Sequence, residues 1–110
     1  SEALGMEWNL KPLLPKDFKI EIGACNTEIK ASWSWEGISY GMWDILYVER
    51  SATDDFKKYV TVYWSPCFMY PTECADWGLT PNTTYYYRIR VVHIQGGTDF
   101  SDVVSYKTPS

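Results

Sequence analysis

The chain has 110 residues, a formal net charge of −4 and an aromatic content of 17%, so it is one domain by size and long enough to bury a core without metal or disulfide support. A pI near 4.8 and the lack of a basic cluster argue against nucleic acid, whose recognition rests on Lys and Arg at phosphates, and against attachment to an anionic membrane. No run approaches the ~20 apolar residues of a membrane span, Ser1 to Gly5 lacks the pattern of a secretory leader, and an abundance of Trp and Tyr without helix-period runs leans to an all-β fold.

Residues 1–11 read as a lead-in segment, or as residues foreign to the domain, and 12–110 as the domain itself. Pro12 and Pro15 bracket Leu13 and Leu14, and proline cannot donate to a ladder, so this stretch is a lead-in or an edge. Phe18, Ile20 and Ile22 alternate with Lys19 and Glu21 in a first strand. After a turn over 23–26, Ile29, Ala31, Trp33 and Trp35 alternate with Lys30, Ser32 and Ser34 in a second, paired with the first as a hairpin. A loop over 36–41 leads to a third strand, 43–51, with Trp43, Ile45 and Tyr47 on one face and Leu46 and Val48 on the other.

A polar turn over 51–55 precedes a fourth strand, 59–64. Its faces are Val60, Val62 and Trp64 against Tyr59, Thr61 and Tyr63. A cysteine-bearing loop follows, then a short strand over 74–79. Pro81-Asn82 marks a turn. Beyond it Tyr85, Tyr87, Ile89 and Val91 point to a core, and Tyr86, Arg88 and Arg90 to water. Gln95-Gly96-Gly97 is a hairpin turn in which glycine supplies positive φ, and 103–108 closes the chain. Seven strands joined by turns predict a Greek-key, immunoglobulin-like β-sandwich.

Cys67 and Cys74 begin and end a stretch of eight residues, and a disulfide between them is expected in an oxidising compartment. A pair of free thiols is the alternative. Cys25 is then left over. The spacing does not suit zinc, and His93 is the only histidine.

Several short patterns occur in a recognisable order: Ile29-x-Ala31-x-Trp33, then Trp43, Ile45 and Tyr47, then Leu79-x-Pro81-x-Thr83-x-Tyr85-x-x-Arg88-Ile89-x-Val91, and last Gly97-x-x-x-Ser101 with Thr108. Together they resemble a fibronectin type III domain over about residues 12–109. The resemblance implies that Trp33 is core, that Leu79 and Pro81 shape the corner, and that the Tyr85 hydroxyl bonds back across it as a tyrosine corner. One departure stands out. Asp76 occupies a position that the family usually keeps aliphatic, and a bulge there would bring Trp77 inward. An immunoglobulin domain would place a cysteine on the strand that holds Tyr85, where none occurs.

No base neighbours Ser101 in sequence, so neither Ser101 nor His93 is read as catalytic. Asp54-Asp55 lacks the spacing of a calcium loop. Asn82-Thr83-Thr84 satisfies the glycosylation acceptor rule. The remaining aromatics are the functional candidates: Tyr40 and Trp43 near the 36–41 loop, Phe68, Met69 and Tyr70 in the cysteine-bearing loop, and Tyr63, Trp64, Tyr86 and Phe100 elsewhere. They serve protein contact, where aromatics and Met dominate, or stacking on sugar rings, or simply cover an extended core. The expectation is a non-catalytic interaction or spacer module, with no cofactor, in a cell-surface receptor or adhesion protein. It would be extracellular or at the cell surface, flanked by other domains and bound to a protein partner through its loops. The alternative is an accessory module of a secreted, polysaccharide-acting enzyme.

Overall fold

Alternation of apolar and polar residues decides most of the architecture. The computed structural model describes residues 14–35 and 43–110; the 1–11 lead-in, the 36–41 loop and Tyr40 lie outside them. Eight strands run in order: β1 (Lys16–Ile22), β2 (Ile29–Ser34), β3 (Ile45–Ser51), β4 (Val60–Pro66), β5 (Glu73–Asp76), β6 (Thr84–Val92), β7 (Thr98–Phe100) and β8 (Val104–Lys107). A single 3₁₀ turn, Cys67–Met69, is the one helical element among the described residues, and no helix there is long and apolar enough to cross a membrane. One sheet has the order β1-β2-β5, and the other β4-β3-β6-β7 with β8 also on β6. This is the expected all-β sandwich.

The eighth strand arises because the last one is broken. The Ser101 amide donates to the Ile89 carbonyl (2.9 Å), while the Ile89 amide donates to the Ser101 hydroxyl (2.8 Å). A side-chain oxygen thus stands in for a backbone carbonyl, and pairing resumes only at Val104. Ser101 is engaged in the ladder through both its amide and its hydroxyl.

The core is built from Ile29, Ala31 and Trp33 of β2, Leu46 and Val48 of β3, and Tyr87, Ile89 and Val91 of β6, closed by Leu79 and Cys67. Each fully buried Leu, Ile or Val contributes roughly 1.5–3 kcal/mol through lost contact with water. Trp33 sits between the rings of Phe18 and Tyr63, at 6.3 and 6.2 Å. On β3 the inward face is Leu46 and Val48, whereas Ile45 and Tyr47 face out and are half-buried. On β4 the register slips opposite Val48 and Glu49. Tyr63 and Val62 therefore both turn toward the core, and Trp64 points out with 60% exposure. The strict alternation expected for β4 fails at that bulge.

Two acidic side chains occupy interior positions. Asp76, on β5, is buried and Trp77 is the exposed one, so no bulge brings Trp77 inward. The Asp76 carboxylate receives both of its oxygens' bonds from Arg50 Nη1 (2.8 and 2.7 Å) and a third from the Tyr87 hydroxyl (2.8 Å). Position 76 faces the core, but its charge is matched, which is the condition for burying a carboxylate. Glu49 is fully buried on the opposite side of the larger sheet. Arg88 Nε and Arg90 Nε each donate to one of its oxygens (2.9 and 2.7 Å). Arg88 lies 4.3 Å from the ring centres of both Phe56 and Phe100, and Arg90 lies 4.3 Å from that of Tyr47. The two arginines expected on a wet face are mostly covered, because aromatics lie over their guanidinium planes.

The corner that opens β6 is closed by side chains. Gly78 (φ 76°) and Asn82 (φ 55°) make the two left-handed turns, Leu79 is buried and Pro81 is exposed. The Thr80 amide donates to the Tyr85 hydroxyl at 2.9 Å. Thr108 donates to the Thr80 carbonyl (2.6 Å) and accepts from the Thr83 amide (2.9 Å). Tyr85→Phe removes one hydrogen bond and little volume, so it should lower the unfolding free energy by about 1 kcal/mol, read from a denaturant melt. An unchanged midpoint would show that the corner does not depend on this hydroxyl.

Candidate functional site at one end of the sandwich

Lys16 pairs with Ser34, so β1 starts at the end of the sandwich where β2 finishes. The same end collects Trp35 after β2, Trp43 before β3, the 3₁₀ turn after β4 and the turn between β6 and β7. Asp44, itself buried, joins them. Its carbonyl accepts from the Cys67 amide (2.8 Å). One carboxylate oxygen accepts from the Ile94 amide (3.0 Å), and the other lies 2.7 Å from His93 Nδ1. His93 Nε2 in turn lies 2.6 Å from Asp99. A short aspartate thus ties the start of β3 to both neighbouring loops.

With a carboxylate at each ring nitrogen, the imidazolium satisfies both. Burial opposes its charge, but the hydrogen bonds and charges of Asp44 and Asp99 outweigh burial and raise the His93 pKa above its ordinary value. A raised folded pKa means that His93 stabilises the fold fully below the ordinary imidazole value of about 6.5, and that this contribution is lost as pH climbs through the raised value. The stability difference between the native chain and His93→Gln should therefore shrink as pH rises over that window in denaturant melts. A difference flat across the window would mean that His93 stays neutral.

Above this frame lies an apolar surface. Trp43 is 61% exposed, Met69 64%, Phe68 40% and Tyr70 39%. Trp43 meets Phe68 edge to face, with centroids 5.5 Å apart and planes at 71°. Trp35 meets Tyr70 likewise, at 5.6 Å and 85°, and its indole N–H donates to the Pro71 carbonyl (2.7 Å). Tyr70 takes a left-handed conformation (φ 47°) to end the 3₁₀ turn, and its amide donates to the Cys67 carbonyl. Of the loop residues singled out in the sequence, Trp43, Phe68, Met69 and Tyr70 come together here.

The disulfide expected between Cys67 and Cys74 is not formed, and both are free thiols. Cys67 is buried in the core at the end of β4, and Cys74 lies on β5 in the other sheet, paired with Ala31. The loop joining them carries the chain from one sheet to the other. Burial pushes the Cys67 thiol up to about 11 and that of Cys74 up to about 12, which lowers the thiolate fraction of each in the folded chain. The loop is ordered instead by the Asp44 and Trp35 hydrogen bonds. Asn82 is exposed in the turn before β6, at the opposite end of the sandwich, where its amide N–H donates to the Pro109 carbonyl (3.0 Å).

Among the described residues no group of three His, Cys, Asp or Glu side chains is placed to hold a metal ion. Asp44, Glu49 and Phe56 escaped the sequence reading, and Asp76 was noticed there only as a departure, without its partners Arg50 and Tyr87. The available signal was a carboxylate inside an otherwise apolar strand pattern, as at Asp76 and Glu49, which announces a buried partner without naming it.

No family model matches the chain, and no curated protein sequence matches it. Solved structures do. The sixth fibronectin type III domain of human fibronectin type III domain containing protein 3 superposes with a TM-score of 0.70 at 22% identity, covering 92% of this chain and 89% of that one. The fourth FNIII domain of a human protein gives 0.71 at 18%, covering 92% and 82%. The chicken CNTN1 FN1-FN3 domains give 0.66 at 16%, covering 90% of this chain and 33% of a longer one. Identities this low establish the fold alone.

Proposed function

We propose that this chain, which has the fibronectin type III fold, is a non-catalytic interaction module of an extracellular or cell-surface protein and contacts a protein partner through the Trp43–Phe68–Met69–Tyr70 end. The observation that carries the reading is the convergence of those four exposed side chains from separate loops on a hydrogen-bonded frame. Large apolar groups held in place lose little entropy on binding. The same fold occurs within multidomain proteins, as in the CNTN1 fragment, which agrees with neighbouring domains in the parent chain.

Protein contact is favoured over sugar stacking by ring geometry. The paired rings meet at 71° and 85°, which makes a knobbed surface and no flat platform for a sugar face. The module would not act as an enzyme, since His93 has both nitrogens tied to carboxylates and Ser101 is held in the ladder. A photo-crosslinking residue placed at Met69 tests this on intact cells. It should yield one defined protein adduct, lost in Trp43→Ala/Phe68→Ala. Retention on insoluble polysaccharide, lost in the same variant, would instead support the accessory module of a secreted polysaccharide-acting enzyme.

A further inference from the structure

Open sheets expose unpaired backbone groups at their edges, and proteins normally blunt such edges with charge, brevity or irregularity. Three of the four edges here are blunted in this way. β1 carries Lys16, Asp17, Lys19 and Glu21, and its register shifts between Lys16 and Lys19. β5 has four residues, of which Glu73 and Asp76 are charged. The far side of β6 is covered by two short pieces, β7 and β8, of three and four residues.

β4 is different. It has seven residues, Val-Thr-Val-Tyr-Trp-Ser-Pro, with no charge, and it ends the larger sheet, with β3 as its one partner among the described residues. Tyr59, Val60 and Trp64, on or beside it, are 44%, 51% and 60% exposed. Its one irregularity is the bulge at Val62, beyond which pairing is regular from Tyr63 to Pro66.

The geometry points to a homodimer in which β4 of one copy pairs antiparallel with β4 of a second, joining the two larger sheets across a twofold axis. The sequence around β4 suits a second copy. An uncharged strand opposite itself creates no like-charge pair. Immediately before it stand Lys57 and Lys58, both exposed and free of ion pairs among the described residues. Immediately after it stand Phe68 and Met69. Antiparallel self-pairing centred within β4 reverses one copy, which carries the lysines of each beside the apolar turn of the other. Ammonium groups meet an aromatic face there, and their stems cover apolar surface. Backbone bonds would supply affinity, and the twofold makes the contact self-limiting. The dimer does not rest on the partner proposed above, with which it would share Phe68 and Met69, and sedimentation of the isolated chain tests the dimer alone.

Sedimentation equilibrium over a concentration series tests it. The weight-average mass should rise from 12.8 kDa toward twice that value. Val60→Lys/Trp64→Lys, which brings cations into the shared strand pair, should weaken association by about tenfold or more while leaving the far-UV dichroism unchanged. Thr61→Lys, at an exposed position, carries the same test if the double variant does not fold. Amide exchange in β4 should slow as concentration rises, with no change in β1 or β5. A chain monomeric throughout, an association indifferent to the lysines, or protection arising in β1, β5 or β8 would overturn the inference.

Discussion

Asp76→Ala should cost the domain about 3–5 kcal/mol, seen as a fall in denaturant midpoint at unchanged slope. The loss has two physical parts. Removing the carboxylate leaves the Tyr87 hydroxyl, on a fully buried residue, with no acceptor, and an orphaned buried donor costs roughly 1–3 kcal/mol. It also strips Arg50 of its counter-ion. Arg50 keeps 23% of its side-chain exposure, so the guanidinium can recruit water, which places the total near the lower end of the range. Arg50→Met/Asp76→Leu, which removes both charges and fills the space, should recover most of the loss. A cost below about 1 kcal/mol for Asp76→Ala would mean that water already screens the pair.

Glu49→Ala should be comparably damaging, at about 3 kcal/mol or more, for a different reason. Glu49 is fully buried beneath two arginines whose side chains are 19% and 23% exposed. Without it, two cations are held side by side, two residues apart on one face of β6, with no anion between them. Glu49→Gln keeps the volume and one acceptor, and should fall between the native chain and the alanine variant. Because Arg88 is stacked between Phe56 and Phe100, its release should also alter the near-UV dichroism of the aromatic rings. A destabilised variant with an unchanged near-UV spectrum would separate the charge effect from the stacking and refute the coupling between them.

These two carboxylates also mark where reading the chain reached its limit. Period-two alternation correctly assigned the inward faces of β2 and β6, because side-chain direction along a strand is a local property. Turn chemistry likewise placed a turn at Pro81-Asn82, where Asn82 takes the left-handed conformation, but the short strand before it, expected over 74–79, ends at Asp76 ahead of a second left-handed residue, Gly78. On β3, where apolar residues occupy both faces, alternation had no power to say which face was inside. On β4 the bulge at Val62 redirected Trp64 outward, and a bulge depends on the partner strand.

The thiols teach the same lesson from another side. Cys67 and Cys74 are close in sequence, and that proximity suggested a bond. The chain between them crosses from one sheet to the other, so Cys67 follows β4 while Cys74 lies on β5, and both are free thiols.

The sequence by itself therefore determined the strand pattern, the corner and the class of fold, since all three follow from preferences that act over a few residues. Only the tertiary structure decided which charges are paired. Asp76 meets Arg50 across 26 positions, and Glu49 meets Arg88 and Arg90 across 39 and 41. Those meetings depend on which strands neighbour one another and in what register. The same holds for the exposed end, where Trp43 and Phe68 come together because the carbonyl of Asp44, the residue after Trp43, accepts from the Cys67 amide at the start of the turn that carries Phe68.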